Sequence, residues 1–277
     1  MRALADKAAG RAGSGRWGDL RKRTLSAALL APVALLCIWL GAGGWTIMMA
    51  AAAVLLGFEW VALCNERALA LPGCTVPLVL IGAGLAAVLG FEISALAVLA
   101  MGTVLVRSLS GRWRLAAGIP YLGVPLVALV WLRGSDAVGR YDVLFVVFVV
   151  WASDIGAYAV GRLAGGPKLA PSISPGKTWS GAVGGLVIAM AVGEIAAQAM
   201  VPGPTWRAAG VAGLLGVASV CGDLLESWIK RRFGVKDSGT LIPGHGGLLD
   251  RLDGLLAAAP TAALLALVLG RGGVLWQ

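Results

Sequence analysis

The sequence predicts an all-α, polytopic integral membrane protein with about nine transmembrane helices, and three observations carry that prediction. The 277 residues are 58% hydrophobic and only 13% charged, with a mean hydropathy of +0.85. That leaves too little polar sequence for the outward faces of soluble helices. The apolar residues gather into runs long enough to cross a hydrocarbon layer, which takes about 20 helical residues. The basic residues fall between those runs, dense on one side of the layer and sparse on the other.

In chain order the runs are 24–41, 44–63, 74–91, 93–107, 118–133, 142–161, 179–200, 207–229 and 254–270. The first follows seven basic residues and is too long for a signal-peptide core, so it reads as a topology anchor. The fourth is short, and the eighth leaves the apolar layer near Asp223. With the N-terminus on the cytoplasmic side, 19 of the 23 Lys and Arg residues fall on that side. This arrangement puts Arg133, Arg140, Arg207 and Arg271 outside and places the protein as a multi-pass chain in the cell membrane. Three regions follow: a basic cytoplasmic segment at 1–23, a transmembrane scaffold at 24–150, and a transmembrane catalytic region at 151–277. The last holds seven of the 14 acids between Asp154 and Asp253.

The net charge of +9 is divided among the loops and forms no continuous basic domain. Anionic lipid is therefore the expected partner and nucleic acid is not. Cys37, Cys64, Cys74 and Cys221 lack metal-ligand spacing and read as small apolar residues. The abundant glycine, 41 residues, suits close packing of helices in lipid.

Three polar clusters lie on the same side. In the first, Asp154, Tyr158 and Gly161 share a helix face ahead of Arg162, and an Asp in an apolar run is a functional candidate. The second, Ser172 to Trp179, contains Gly176-Lys177-Thr178 just before a span. A phosphate-binding Walker loop is rejected, because Pro171 stands where its first Gly belongs and no strand is expected to precede it. Lys177, the Ser174 and Thr178 hydroxyls and the helix N-terminus still suit a phosphate. The third cluster places Asp223, Glu226, Ser227 and Lys230 on one helical stripe, and Asp250 and Asp253 recur at i, i+3 downstream. Asp223 and Asp250 on facing helices suit a hard cation. The connecting Gly244-His245-Gly246-Gly247 lets backbone amides approach an anion.

The stretch from Ser227 to Asp253 packs nine ionisable side chains, including the chain's single histidine, into 27 residues. It resembles the signature of the phosphatidate cytidylyltransferases, the CDP-diacylglycerol synthases. The match runs through Ser227, Lys230-Arg231, Lys236-Asp237, Pro243, His245-Gly246-Gly247, Asp250-Arg251 and Asp253 without a gap. Asp154 to Arg162, Ser174 to Trp179 and Gly222 to Ser227 also resemble family segments, while the N-terminal half does so mainly in hydropathy, plus the weak Glu59-Trp60. One departure is Ser180, where the family usually carries Glu.

The resemblance implies transfer of CMP from CTP to phosphatidate, giving CDP-diacylglycerol and pyrophosphate. It implies Mg²⁺ held by Asp223 and Asp250 with Asp253 close by, a second, monovalent cation being left open. Ser227, Lys230, Arg231, Lys236, Asp237, His245 and Arg251 would form the catalytic set. Asp154, Tyr158, Ser174, Lys177, Thr178, Gly246 and Gly247 would bind substrate. Acyl preference, the choice between CTP and dCTP, and a homodimer stay open. A transporter or channel would call for polar groups near the midplane and related halves; here the charges gather at one face and the halves differ. Another lipid phosphotransferase is the remaining alternative, without the residue array that a CDP-alcohol phosphotransferase needs.

Overall fold

The computed structural model describes residues 28–134, 137–241, 246–270 and 273–277. The basic segment 1–23 and His245 lie outside the described residues. Each of the nine expected spans corresponds to a helix: α1 (Ala28–Leu40), α2 (Ala42–Leu63), α3 (Thr75–Val88), α4 (Glu92–Ser110), α5 (Trp113–Arg133), α6 (Ala137–Ala164), α7 (Trp179–Met200), α8 (Ala208–Arg232) and α9 (Leu249–Leu269). Seven of them are long and apolar enough to cross a membrane; α3 and the described part of α1 are shorter. At ~1.5 Å per residue, the 14 residues of α3 reach about 21 Å, short of a full hydrocarbon layer.

One expectation is corrected. A strand does precede α7: β1 (Lys168–Ala170) pairs antiparallel with β2 (Ser174–Thr178), Lys168 opposite Thr178 and Ala170 opposite Ser174. Pro175 and Gly176 disfavour a strand by propensity, but a two-stranded hairpin leaves Pro175 at an edge where no ladder donor is required. The hairpin sits outside the bundle, so the chain remains an all-α membrane protein.

The central element is α5, in contact with α2, α3, α4, α6 and α9. Leu115 to Val127 and Val130 of α5 join one apolar core with α2, α3 and α4, and Ala128, Leu129 and Leu132 join a second with α6 to α9. Its glycines receive larger neighbours, Trp60 against Gly118 and Leu99 against Gly123. The Trp60 indole N–H then donates to the carbonyls of Arg114 and Leu115, at 3.1 and 3.2 Å, tying α2 to the first turn of α5.

The pair α6 and α7 packs backbone to backbone. A Cβ on Gly181 would lie 2.7 Å from the Ala157 carbonyl oxygen, and one on Gly185 would lie 2.6 Å from that of Ser153. Without a hydrophobic drive between helices in lipid, such close van der Waals approach is what holds them. It also fixes the start of α7, and therefore the hairpin, beside Asp154. At the other end of the bundle the Asp142 carboxylate accepts the Leu275 N–H at 2.8 Å, and Trp276 stacks on Phe145. Arg133 donates to the Ile38 carbonyl at 2.8 Å, and Arg207 to that of Gln277. Both arginines, expected outside, are structural ties far from the polar clusters.

Gly185→Val is expected to lower stability by about 1–3 kcal/mol through overpacking, read as a lower unfolding temperature in detergent. Gly210→Val, where an added Cβ meets nothing within 4 Å, is the control that stays near the parent.

Candidate active site

Six helix ends meet at one end of the bundle: the C-terminal ends of α2, α6 and α8 and the N-terminal ends of α5, α7 and α9. The polar side chains that they bring together form two groups, one locked and one open.

In the locked group, Lys230 stands between two buried carboxylates, 2.6 Å from Asp250 Oδ1 and 3.0 Å from Glu226 Oε1. Glu226 is fully buried. The other Asp250 oxygen, Oδ2, accepts three hydrogen bonds, from the Ser238 N–H and hydroxyl at 2.9 Å and from the Gly247 N–H at 2.8 Å. Asp250 thus fastens the loop after α8 to the start of α9. Gly246 has φ 85°, and a Cβ there would lie 2.8 Å from Asp250 Oδ2. Only glycine adopts that turn without strain and leaves room for the carboxylate. The anion that the Gly247 amide approaches here is the protein's own Asp250.

A second carboxylate reaches the same loop from the scaffold. Glu59, near the end of α2, accepts the N–H of Leu248 at 2.7 Å on Oε1 and that of Leu249 at 2.8 Å on Oε2. No side chain caps α9 locally, so Glu59 serves two of its first amides from 189 residues away. Gly247 is required here as well, since a Cβ would stand 2.8 Å from both Glu59 oxygens.

The open group is centred on Asp223. Its carboxylate forms an ion pair with Lys177 and faces the Ser227 hydroxyl at 3.4 Å. Asp154 interacts electrostatically with Asp223, Lys177 and Arg251, and Asp253 with Asp223, Asp154 and Lys177. The approach of α8 to α9 rests on Gly222, whose Cβ would fall 2.5 Å from the Asp253 carbonyl oxygen. Arg231 donates to the Ile173 carbonyl at 3.3 Å and so joins α8 to the hairpin.

Other candidates stand apart. The Thr178 hydroxyl is buried and caps α7, accepting the Gly181 N–H at 3.1 Å. Ser180, the departure from the family pattern, hydrogen-bonds to Thr178 and to the Gly165 carbonyl, closing the loop before β1. Tyr158 is exposed and accepts from Arg162 at 2.9 Å. Ser174 lies in β2, half-buried, while Lys236 and Asp237 are exposed on the loop after α8. Glu59, Ser238 and Tyr121 were not among the expected site residues. Glu59 carried a signal, as a lone acid inside an apolar run.

Among the described residues, no three His, Cys, Asp or Glu side chains converge tightly enough to enclose a metal ion. Mg²⁺ is commonly held by one or two carboxylates together with water and substrate phosphates rather than by an all-protein cage. Asp223 and Asp253, with Asp154 near them, supply such hard oxygen donors. Counting Glu226, Asp250, Lys177, Lys230 and Arg251 as well, the acids of the two groups outnumber the bases by two. The donor chemistry therefore fits a divalent cation that arrives with its own oxygen ligands.

The sequence placed Lys230 on a polar stripe away from the packing surface. The structure corrects this: Lys230 is buried and packed between two buried acids. Lys230→Ala should therefore destabilise the protein by about 3–5 kcal/mol, as removal of one partner from a buried ion pair does. Glu59→Ala should do so by about 1–2 kcal/mol, the scale of a lost helix cap. Thermal unfolding in detergent measures both; an unchanged unfolding temperature for Lys230→Ala would contradict the locked arrangement.

Residues 21–269 match the model of the cytidylyltransferase family. The phosphatidate cytidylyltransferase of Brucella abortus (strain 9-941) is 39% identical over 265 residues, covering 93% of this chain and 97% of that protein. Its namesake in Bacillus subtilis is 35% identical, with 87% and 96% covered. That of Pseudomonas aeruginosa is also 35% identical, with 91% and 99% covered.

Proposed function

The chain belongs to the cytidylyltransferase family, and from that premise we propose that it transfers CMP from CTP to phosphatidate, releasing pyrophosphate and forming CDP-diacylglycerol for phospholipid synthesis. The observation that supports this reading best is the meeting of Lys177, Asp223, Ser227, Arg251 and Asp253 at one end of a membrane bundle. There a water-soluble nucleotide and a membrane lipid have access to the same residues.

The chemistry asks little of a general base. The nucleophile is an oxygen of the lipid phosphate, largely ionised at neutral pH. It bonds to the α-phosphorus of CTP as the bond to the β-phosphate oxygen breaks, and pyrophosphate leaves with the electron pair. What must be supplied is positioning and charge stabilisation. Lys177, Arg251 and the Ser227 hydroxyl would hold phosphate oxygens. Arg231, Lys236, Asp237 and His245 belong to the catalytic set through the family signature; Lys230 and Asp250 act by holding the Gly247 loop and α9 in register. Ser174, Tyr158 and Gly246 are assigned to substrate through the family resemblance alone. Mg²⁺, when bound, would neutralise charge on the phosphates. Asp223 and Asp253 are the residues that would hold it, with Asp250 joining them only by releasing Lys230 or its hydrogen-bond donors.

The test is incorporation of radiolabel from [α-³²P]CTP into lipid by purified protein given phosphatidate and Mg²⁺. Product is expected with phosphatidate and not with diacylglycerol, and no labelled lipid under any condition would sink the reading. Asp223→Asn should lower turnover by ~10²-fold or more, as loss of a metal-held charge does, and raise the Mg²⁺ concentration needed for half-maximal rate. Asp250→Asn should lower turnover without that shift in Mg²⁺ requirement. A shift for Asp250→Asn alone would exchange the two roles.

We assign the active end to the cytoplasmic side, because 19 of 23 basic residues sort to that side, and the membrane to the cell membrane. In a background without the native cysteines, Ala170→Cys and Thr240→Cys should both react with an impermeant maleimide only from the cytoplasmic face. Labelling of either from the opposite face would overturn this topology.

A further inference from the structure

A groove of about 360 Å³ runs between α5 and α8 beside the site, and its lining is almost entirely apolar. On α8 the groove residues Leu225, Trp228, Ile229 and Arg232 recur at i, i+3, i+4 and i+7, a stripe adjacent to the one that carries Glu226 and Lys230. Leu225 and Trp228 are exposed, so the groove opens sideways toward lipid rather than into the bundle. Its inner wall includes Trp60 and Tyr121, whose rings stand 5.4 Å apart. The Tyr121 hydroxyl is buried without a hydrogen-bond partner among the described residues. It lies within electrostatic reach of Glu226, Asp253 and Asp223, so the groove and the catalytic end meet at this side chain.

Two arginines border the groove. Arg114 lies over the Phe233 ring at 5.4 Å and Arg232 over the Trp228 ring at 4.9 Å. Each guanidinium is exposed and held over an aromatic face in the first turn of α5 or the last turn of α8. An apolar slot with cations at its border, at the level where the helices leave the membrane, complements a molecule with an acyl tail and an anionic head.

We propose that this groove seats an acyl chain of the phosphatidate substrate, with Arg114 and Arg232 holding the lipid phosphate as it turns toward the catalytic end. This assignment rests on the cytidylyltransferase reading above. A lipid reaching the site from the side passes Tyr121, whose unpartnered hydroxyl is the polar group that meets the phosphate or the glycerol esters. Bulk lipid resting against the same surface is the competing occupant, and it would show no coupling to turnover.

The experiment fills the groove. Ala117 is an exposed residue of the groove on α5 and outside the catalytic set, so Ala117→Trp blocks the slot from the lipid side. KM for dioleoyl phosphatidate in mixed micelles is expected to rise by about tenfold or more, the scale of a steric change in an apolar pocket. KM for CTP and the rate with dihexanoyl phosphatidate, whose chains are too short to fill the slot, should stay at parent values. Arg114→Gln and Arg232→Gln should raise KM for both phosphatidates and leave that for CTP unchanged. An unchanged KM for dioleoyl phosphatidate in Ala117→Trp, with the unfolding temperature intact, would identify the occupant as bulk lipid and overturn the proposal. Equal loss with long and short chains would do the same. Should Ala117→Trp lower the unfolding temperature, Ala117→Leu repeats the comparison with a smaller side chain. Parent protein that turns over phosphatidate while the variants show no effect refutes the groove alone; parent protein inactive on any phosphatidate refutes the reading beneath it.

Discussion

The Asp250 carboxylate, with Lys230 on one oxygen and three hydrogen-bond donors on the other, is the interaction on which the rest of the site depends. A buried carboxylate is expensive unless it is paired and hydrogen-bonded, and here each satisfying group belongs to a different piece of chain. Lys230 comes from α8, Ser238 from the loop, Gly247 from the glycine pair before α9. Satisfying one anion therefore fixes the relative placement of all three. Glu226 adds a second acid 3.0 Å from Lys230, so the cation is held from two sides. The arrangement is costly to disturb, and that cost keeps the signature segment in one conformation beside a membrane surface where many polar alternatives exist.

The division into scaffold and catalytic halves expected from the sequence is crossed at this point. Glu59 belongs to the scaffold by sequence, yet it caps α9, and Trp60 beside it locks α2 onto the start of α5. Neighbouring residues of one helix thus hold the two elements that flank the site. The consequence is mechanical: α2 couples the start of α5 to the start of α9.

Much of the fold was legible because hydropathy alone specifies helices in lipid, where every backbone donor must be satisfied within its own segment. The nine runs and the nine helices agree to within several residues, and the Asp223–Ser227–Lys230 stripe follows from helical period. What escaped was either non-local or opposed to propensity. The ion pair of Lys230 with Asp250 bridges 20 residues and depends on a loop whose path no periodicity encodes. The bonds from Glu59 span almost 190. The hairpin contains Pro175 and Gly176, which argue against a strand, and its pairing is tied to a bundle that brings Arg231 to Ile173. Thr178 had the right residue type for a phosphate contact and equally for a helix cap; only the position of the Gly181 amide separates the two.

The charge balance of the site constrains how substrates approach it. By residue count acids exceed bases among the converging side chains even though the chain as a whole is basic. The surplus of cations lies at the rim, on Arg231, Arg232 and Lys236, all exposed. A field from that rim favours the approach of anions to this end of the bundle. On the proposed reading the two substrates would approach differently: a lipid phosphate past Arg114 and Arg232 beside an apolar slot, and a nucleotide past Lys177 from water. Selectivity for the pair would then follow from two different routes to one site, rather than from a single pocket shaped for both.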